Sequence, residues 1–149
     1  MIGAGYVGLV SGACFADFGH HVTCVDKDTR RIAALNRGEM PIFEPGLAEL
    51  VETNVRQGRF EFVEDMTSVR HADVVLFAVG TPSRRGDGHA DLSFVYNAAR
   101  EVAPLLPETA VVVTKSTVPV GTGDEIEHIL REQRPRGRPA GRIQPGISA

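Results

Sequence analysis

Residues 3–8 read Gly3-Ala4-Gly5-Tyr6-Val7-Gly8, a G-x-G-x-x-G sequence placed between the strand-like Met1-Ile2 and an apolar stretch. Alone such a sequence is weak, because glycine-rich turns are common. Its surroundings raise it: Asp26 closes the next apolar run, about twenty residues on, where a dinucleotide-binding βαβ unit carries its acidic residue. The physical roles divide cleanly. Gly3 permits a tight turn, Gly5 removes the side chain that would block a pyrophosphate, and Gly8 lets the helix approach the strand. The helix N-terminus, at Tyr6 and Val7, offers free N–H groups and the positive end of its dipole to phosphate. Asp26 can accept both hydroxyls of an adenosine ribose, and its charge repels a 2′-phosphate, so NAD is expected in preference to NADP. The plain alternative is a glycine-rich turn with a solvated aspartate.

Working outward, strand and helix alternate, which predicts an α/β fold of the Rossmann type: a doubly wound parallel sheet covered on both faces. A helix is expected over 6–18, with Val7, Val10, Cys14 and Phe18 on its buried face and Gly19 at its end. Strand 21–25, helix 28–37, a structured loop 38–46 (GEMPIFEPG) and helix 47–57 follow. Beyond them come strand 60–63, the buried strand 74–79 (VVLFAV), a polar loop 80–90, a helix bearing Val95, Ala98, Ala99, Val102 and Leu105, and strand 110–114. Thr122-Gly123-Asp124-Glu125 fits a capping box opening the last helix, which turns Ile126, Ile129 and Leu130 inward. After Gln133 periodicity stops.

Two more segments draw notice by position. Gly80-Thr81-Pro82 follows one buried strand and Lys115-Ser116-Thr117-Val118-Pro119 follows the other, at the carboxyl ends where open parallel sheets bind ligands. Thr81 and Thr117 can reach phosphate or nicotinamide there, although either alone also fits a residue that starts a turn before proline.

Composition narrows the field. The 149 residues have room for one domain, and the mean hydropathy of -0.07 is that of a soluble protein. No apolar run is long enough to span a bilayer. Residues 1–16 are apolar but lack a basic leader and are broken by glycines, so they read as turn and helix rather than signal peptide, and a cytoplasmic location is expected. A net charge of -3 argues against nucleic acid. The two cysteines, Cys14 and Cys24, make no disulfide framework and are expected as small buried hydrophobes. The five histidines form no i, i+4 metal pair. The charged run 28–31 reads as a solvated helix start.

GAGYVGLVSGACFADFGH (3–20), VDKD (25–28), PIFEPGL (41–47), VGTPSRRGDGHADLS (79–93) and KSTVPVGTG (115–123) resemble, in order and spacing, the motifs of the UDP-glucose/GDP-mannose dehydrogenase family. The resemblance runs from Met1 to about Pro135, and FADFGH, VDKD and KSTVPVGTG are closer to its UDP-glucose branch. It implies NAD-dependent oxidation of a nucleotide sugar's C6 alcohol to a carboxylate, in a homo-oligomeric enzyme of full length. Carried over, Gly3, Gly5, Tyr6, Val7 and Gly8 hold the pyrophosphate, Asp26 the adenosine ribose, and Arg31 lies near the adenosine end. Thr81 and Thr117 line the nicotinamide half, with Thr117 next to the reacting centre and assisting at most. The family's thiol nucleophile, general-base lysine and sugar contacts belong to segments not found in these residues, so no catalytic residue is expected here and the isolated chain is expected to be inactive. A free-standing regulatory dinucleotide module and a hydroxyacid dehydrogenase are the competing readings. Residues poised at a nicotinamide disfavour the first, and PIFEPGL and KSTVPVGTG the second.

The same resemblance bears on both ends. Family members have several first-strand residues before the position of Ile2, so a truncated first strand, reduced stability and a start assigned at an internal methionine are expected. Residues 1–134 are read as an incomplete NAD-binding domain and 135–149 as an unstructured tail. Family members follow the last helix with a motif resembling V-A-S-N-P-E-F-L-R. GRIQPGISA (141–149) can be encoded GGT CGC ATC CAA CCC GGA ATT TCT GCG, which read one base later spells Val-Ala-Ser-Asn-Pro-Glu-Phe-Leu and the start of Arg. The tail is therefore expected to be a frameshift product, the slip lying between about Glu132 and Gly141; Arg/Pro/Gly composition alone would suggest a disordered linker. Sequencing the gene decides it, and a shifted frame that does not spell the motif refutes it.

Overall fold

The computed structural model describes residues 1–84 and 89–133, so the tail and residues 85–88 of the polar loop lie outside the described residues. The chain divides into two compact units, Met1–Asp65 and the residues from Met66 onward.

In the first unit, helix α1 (Tyr6–Asp17) leads to strand β1 (Val22–Val25), helices α2 (Thr29–Asn36) and α3 (Leu47–Arg56), and strand β2 (Phe60–Val63). β1 and β2 pair in parallel, Val22 opposite Phe60 and Val25 opposite Val63. Parallel neighbours need a crossover, and α2 and α3 supply it. Ile2 contributes one parallel bridge to Val25. Around it, Val25 N–H donates to the Met1 carbonyl at 2.8 Å and Gly3 N–H to the Val25 carbonyl at 2.8 Å. The Met1 amine donates to the Thr23 carbonyl at 2.8 Å, and its burial lowers its pKa. The expected first strand is thus one bridge long.

The second unit holds strand β3 (Val74–Phe77), helix α4 (Ser93–Val102), strand β4 (Val111–Thr114) and helix α5 (Thr122–Glu132). β3 and β4 are parallel, Val74 opposite Val111 and Phe77 opposite Thr114; the strand expected as buried over 74–79 ends at Phe77, and its Val74 is 46% exposed. α4 buries Val95, Ala98, Ala99 and Val102, but Leu105, expected on the same stripe, falls past its end in a 3-10 turn and is only half-buried; α5 buries Ile126, Ile129 and Leu130. Two short 3-10 turns, Met66–His71 and Ala103–Leu105, carry too few periodic residues to be legible in sequence.

Three further expectations fail. The buried face of α1 is Gly8, Leu9, Gly12, Ala13 and Ala16, whereas Val7 is 39% and Phe18 77% exposed. Cys14, expected inside, is exposed; Cys24 is buried. Helical periodicity weights bulky residues, but at Gly12 α1 comes so close to β2 that no side chain fits without displacing Phe60. A Cβ on Gly12 would stand 2.8 Å from Phe60 Cζ, and the Phe60 ring, 2% exposed, packs on Phe62 with ring centroids 4.6 Å apart. The third failure is the capping box. Gly121, at φ 89°, is the N-cap of α5, no side chain caps the helix, and Thr122 is buried inside the first turn. A residue with a side chain is disfavoured at that left-handed φ, so the glycine takes the cap and the helix begins one residue early.

Gly12→Ala should destabilise the first unit by about 1–2 kcal/mol, overpacking of roughly 1–3 kcal/mol outweighing alanine's helix propensity of up to ~1 kcal/mol. Urea denaturation checks this, with Phe60→Leu in the same chain recovering part of the loss. A variant more stable than wild type would overturn the close-packing account.

Candidate functional site

The glycine turn begins where Ile2 leaves its bridge. Gly3 has φ 105°, a left-handed value that allows the chain to reverse into α1 within two residues. Beneath it the Cys24 thiol donates to the Gly3 carbonyl at 3.4 Å. Burial pushes that thiol's pKa up to about 12, so Cys24 is a neutral packing group and no nucleophile. Gly5 is the N-cap of α1, with no side-chain cap bond. No atom comes within 4 Å of the place a Cβ on Gly5 would take. The first helical bond runs from Leu9 N–H to the Gly5 carbonyl at 2.9 Å, so the amides of Tyr6, Val7 and Gly8 precede the first intrahelical acceptor. Open space, unspent amides and a positive dipole end coincide.

Asp26 stands at the carboxyl end of β1, its side chain 13% exposed. Its Oδ2 accepts from Ala4 N–H at 2.7 Å and from Arg31 Nη1 at 2.9 Å, and its Oδ1 accepts from Asp28 N–H at 2.9 Å. The bond to Ala4, which sequence reasoning did not foresee, ties the carboxylate to the glycine turn. These donors take three of the roughly four acceptor positions of a carboxylate. Arg31 is brought onto Asp26 itself by the first turn of α2, where Asp28 is the N-cap and accepts from Arg30 N–H and Arg31 N–H at 3.1 Å each. Tyr6, 54% exposed, donates to Glu44 Oε2 at 3.0 Å, linking the turn to the 41–47 loop; that carboxylate raises the Tyr6 pKa.

In the second unit, the segments after β3 and β4 are bonded to each other. Lys115 N–H and Ser116 N–H both donate to the Phe77 carbonyl, at 2.8 and 3.0 Å. Past that point the link passes to side chains: Ser116 Oγ donates to the Val79 carbonyl at 2.7 Å, and Thr81 Oγ1 to the Thr117 carbonyl at 2.9 Å. Thr81 and Thr117 are thus brought together. Ser116, which sequence reasoning passed over, proves to be part of the same join. Asp91 ends the long loop and accepts from Ser93 at the start of α4; the Ser93 hydroxyl first, and then its N–H at 3.0 Å, lower the Asp91 pKa.

The chain as a whole resembles known proteins. The NAD binding domain of the UDP-glucose/GDP-mannose dehydrogenase family matches residues 1–144. The chain belongs to this family. It is 68% identical over 136 residues, 91% of its length, to a UDP-glucose 6-dehydrogenase of Rhizobium meliloti, of which it spans 31%. A solved UDP-glucose dehydrogenase from the archaeon Pyrobaculum islandicum superposes with a TM-score of 0.86 at 35% identity, covering 95% of this chain and 33% of the other. A GDP-mannose dehydrogenase from Pseudomonas aeruginosa, solved as a ternary complex, gives 0.84 at 34% identity, covering 89% and 31%. The fold is therefore the Rossmann-type α/β arrangement of these dehydrogenases' NAD-binding domains, and the cofactor is NAD.

The residues present fit the cofactor of this dehydrogenase family. The empty space at Gly5 and the unspent amides after it suit a pyrophosphate, and Asp26 is the acidic group a ribose needs. Among the described residues, no cluster of His, Cys, Asp and Glu could hold a metal ion, and no helix is long and apolar enough to cross a membrane.

Proposed function

We propose that this chain is the NAD-binding part of a UDP-glucose 6-dehydrogenase, an enzyme that oxidises UDP-glucose to UDP-glucuronate with reduction of two NAD molecules. The observation that carries the reading is the bond of Asp26 to the glycine turn through Ala4 N–H, in a chain so similar to the Rhizobium meliloti enzyme. That similarity is far greater than the one to the GDP-mannose enzyme, which favours UDP-glucose as the sugar nucleotide.

In this reading Gly3, Gly5, Tyr6, Val7 and Gly8 hold the pyrophosphate by backbone and Asp26 and Arg31 take the adenosine end. Thr81 and Thr117 serve the nicotinamide half, Thr117 nearest the reacting centre. NAD supplies the hydride acceptor. The chain's own residues bind and orient it. Carrying the aldehyde on to the acid calls for a thiol that traps it covalently; Cys24 is buried with a raised pKa, and Cys14 lies in the middle of α1. The chemistry thus belongs to further segments of a full-length, homo-oligomeric enzyme.

Isothermal titration should show the 149-residue chain binding NAD in preference to NADP, with no NADH formed when UDP-glucose is added. Equal affinity for the two cofactors defeats the role of Asp26. NADH formed by a preparation free of longer enzyme defeats the assignment of the chemistry to other segments.

A further inference from the structure

The two threonines that the proposed function puts at the nicotinamide are not equivalent in the structure. Thr81 has spent its hydroxyl proton on the Thr117 carbonyl, 2.9 Å away. The Thr117 hydroxyl has no partner among the described residues, and Thr117 is exposed. One threonine is engaged as a tie; the other presents a free donor.

The tie has a second strand. Ser116 Oγ donates to the Val79 carbonyl at 2.7 Å and also lies 3.3 Å from the Phe77 carbonyl. With one hydroxyl proton, the shorter bond takes it. A hydroxyl from the segment after β4 thus holds a carbonyl after β3, and a hydroxyl after β3 holds a carbonyl after β4. The last backbone bonds between the two segments run from Lys115 N–H and Ser116 N–H to the Phe77 carbonyl. The reciprocal hydroxyls continue the join, one bond on each side of the residue that carries the free donor.

We propose that Ser116 is a positioning residue for the nicotinamide half of NAD, acting with Thr81 as a two-hydroxyl clamp that fixes Thr117, whose hydroxyl alone is left to donate to the cofactor. The inference rests on the proposed function and refines it: Thr81 moves from cofactor contact to support, and Ser116 gains a role. A hydroxyl held in place donates without the loss of freedom that a mobile segment would suffer on binding.

The test compares NAD with ADP-ribose, which lacks only the nicotinamide, by titration calorimetry on the full chain, with the thermal midpoint followed by circular dichroism. Wild type should bind NAD more tightly than ADP-ribose. Ser116→Ala should lower NAD affinity by roughly 3- to 10-fold, the worth of an ordinary hydrogen bond, with ADP-ribose affinity unchanged. Thr81→Val should do the same, and Ser116→Thr, which keeps the hydroxyl, should restore the difference. A rescue by threonine is not expected of a residue that merely fills space. Unchanged NAD affinity in Ser116→Ala, or equal loss in Ser116→Ala and Ser116→Thr, overturns the proposal. So does a wild type that binds NAD no better than ADP-ribose, which leaves the adenosine-side assignment standing. A chain that binds neither ligand overturns the proposed function and this inference together.

Discussion

Asp26→Ala should lower the affinity for NAD by about 10- to 100-fold, the equivalent of one or two hydrogen bonds to a charged group, and should abolish the preference over NADP. Two effects act together. The carboxylate that accepts from the ribose is gone, and so is the charge that repels a 2′-phosphate. Arg31 adds a third. It is now bound to Asp26 at 2.9 Å, and without that partner its guanidinium is released beside the ribose position, where an arginine suits the phosphate of NADP. Asp26→Asn separates the contributions, since the amide oxygen can still accept from Ala4 N–H while the charge is lost. Titration of both variants with both cofactors measures this. An alanine variant that still favours NAD over NADP by the wild-type ratio would show that discrimination lies elsewhere. The alanine variant also leaves Ala4 N–H without its acceptor, so its fold must be verified by circular dichroism before affinities are compared.

Gly5→Val should leave the fold intact and remove NAD binding. The backbone at Gly5 has φ -79°, which any residue adopts, and no atom lies within 4 Å of the added Cβ. The stability change should therefore stay within about 1 kcal/mol, the scale of a substitution at a cap position. The added carbons fill the space above the Tyr6, Val7 and Gly8 amides, where the pyrophosphate has to come within hydrogen-bonding distance. Affinity for NAD, and for ADP-ribose alike, should fall by at least ~100-fold, since the whole pyrophosphate is displaced. A variant that melts like wild type and binds NAD within about threefold of it would refute the assignment of the turn.

These two residues show how far the site was legible in the sequence. Gly5 and Asp26 were picked out by spacing alone, as a turn and an acidic residue set apart by the distance a dinucleotide-binding unit calls for. The partners of Asp26 were not. Ala4 N–H reaches it across the β1 bridge, from 22 residues away in the chain, and Arg31 arrives through the first turn of α2. Ser116 was passed over for a related reason. A serine beside a threonine carries no signal until the pairing of β3 with β4 brings Val79 opposite it.

The sequence by itself determined the order of strands and helices, the glycine turn, the acidic residue after β1 and the family. Each is a local pattern, readable because strand and helix periods and turn chemistry act over a few residues. Only the tertiary structure decided which side of α1 is buried, since the glycine at 12 is set by the nearness of Phe60 and carries no hydrophobic signal of its own. It also decided that Gly121 rather than Thr122 caps α5, and that Thr81 holds the Thr117 carbonyl while the Thr117 hydroxyl has no partner among the described residues. Those outcomes turn on approaches of a few ångströms between residues distant in the chain, and no local pattern encodes them.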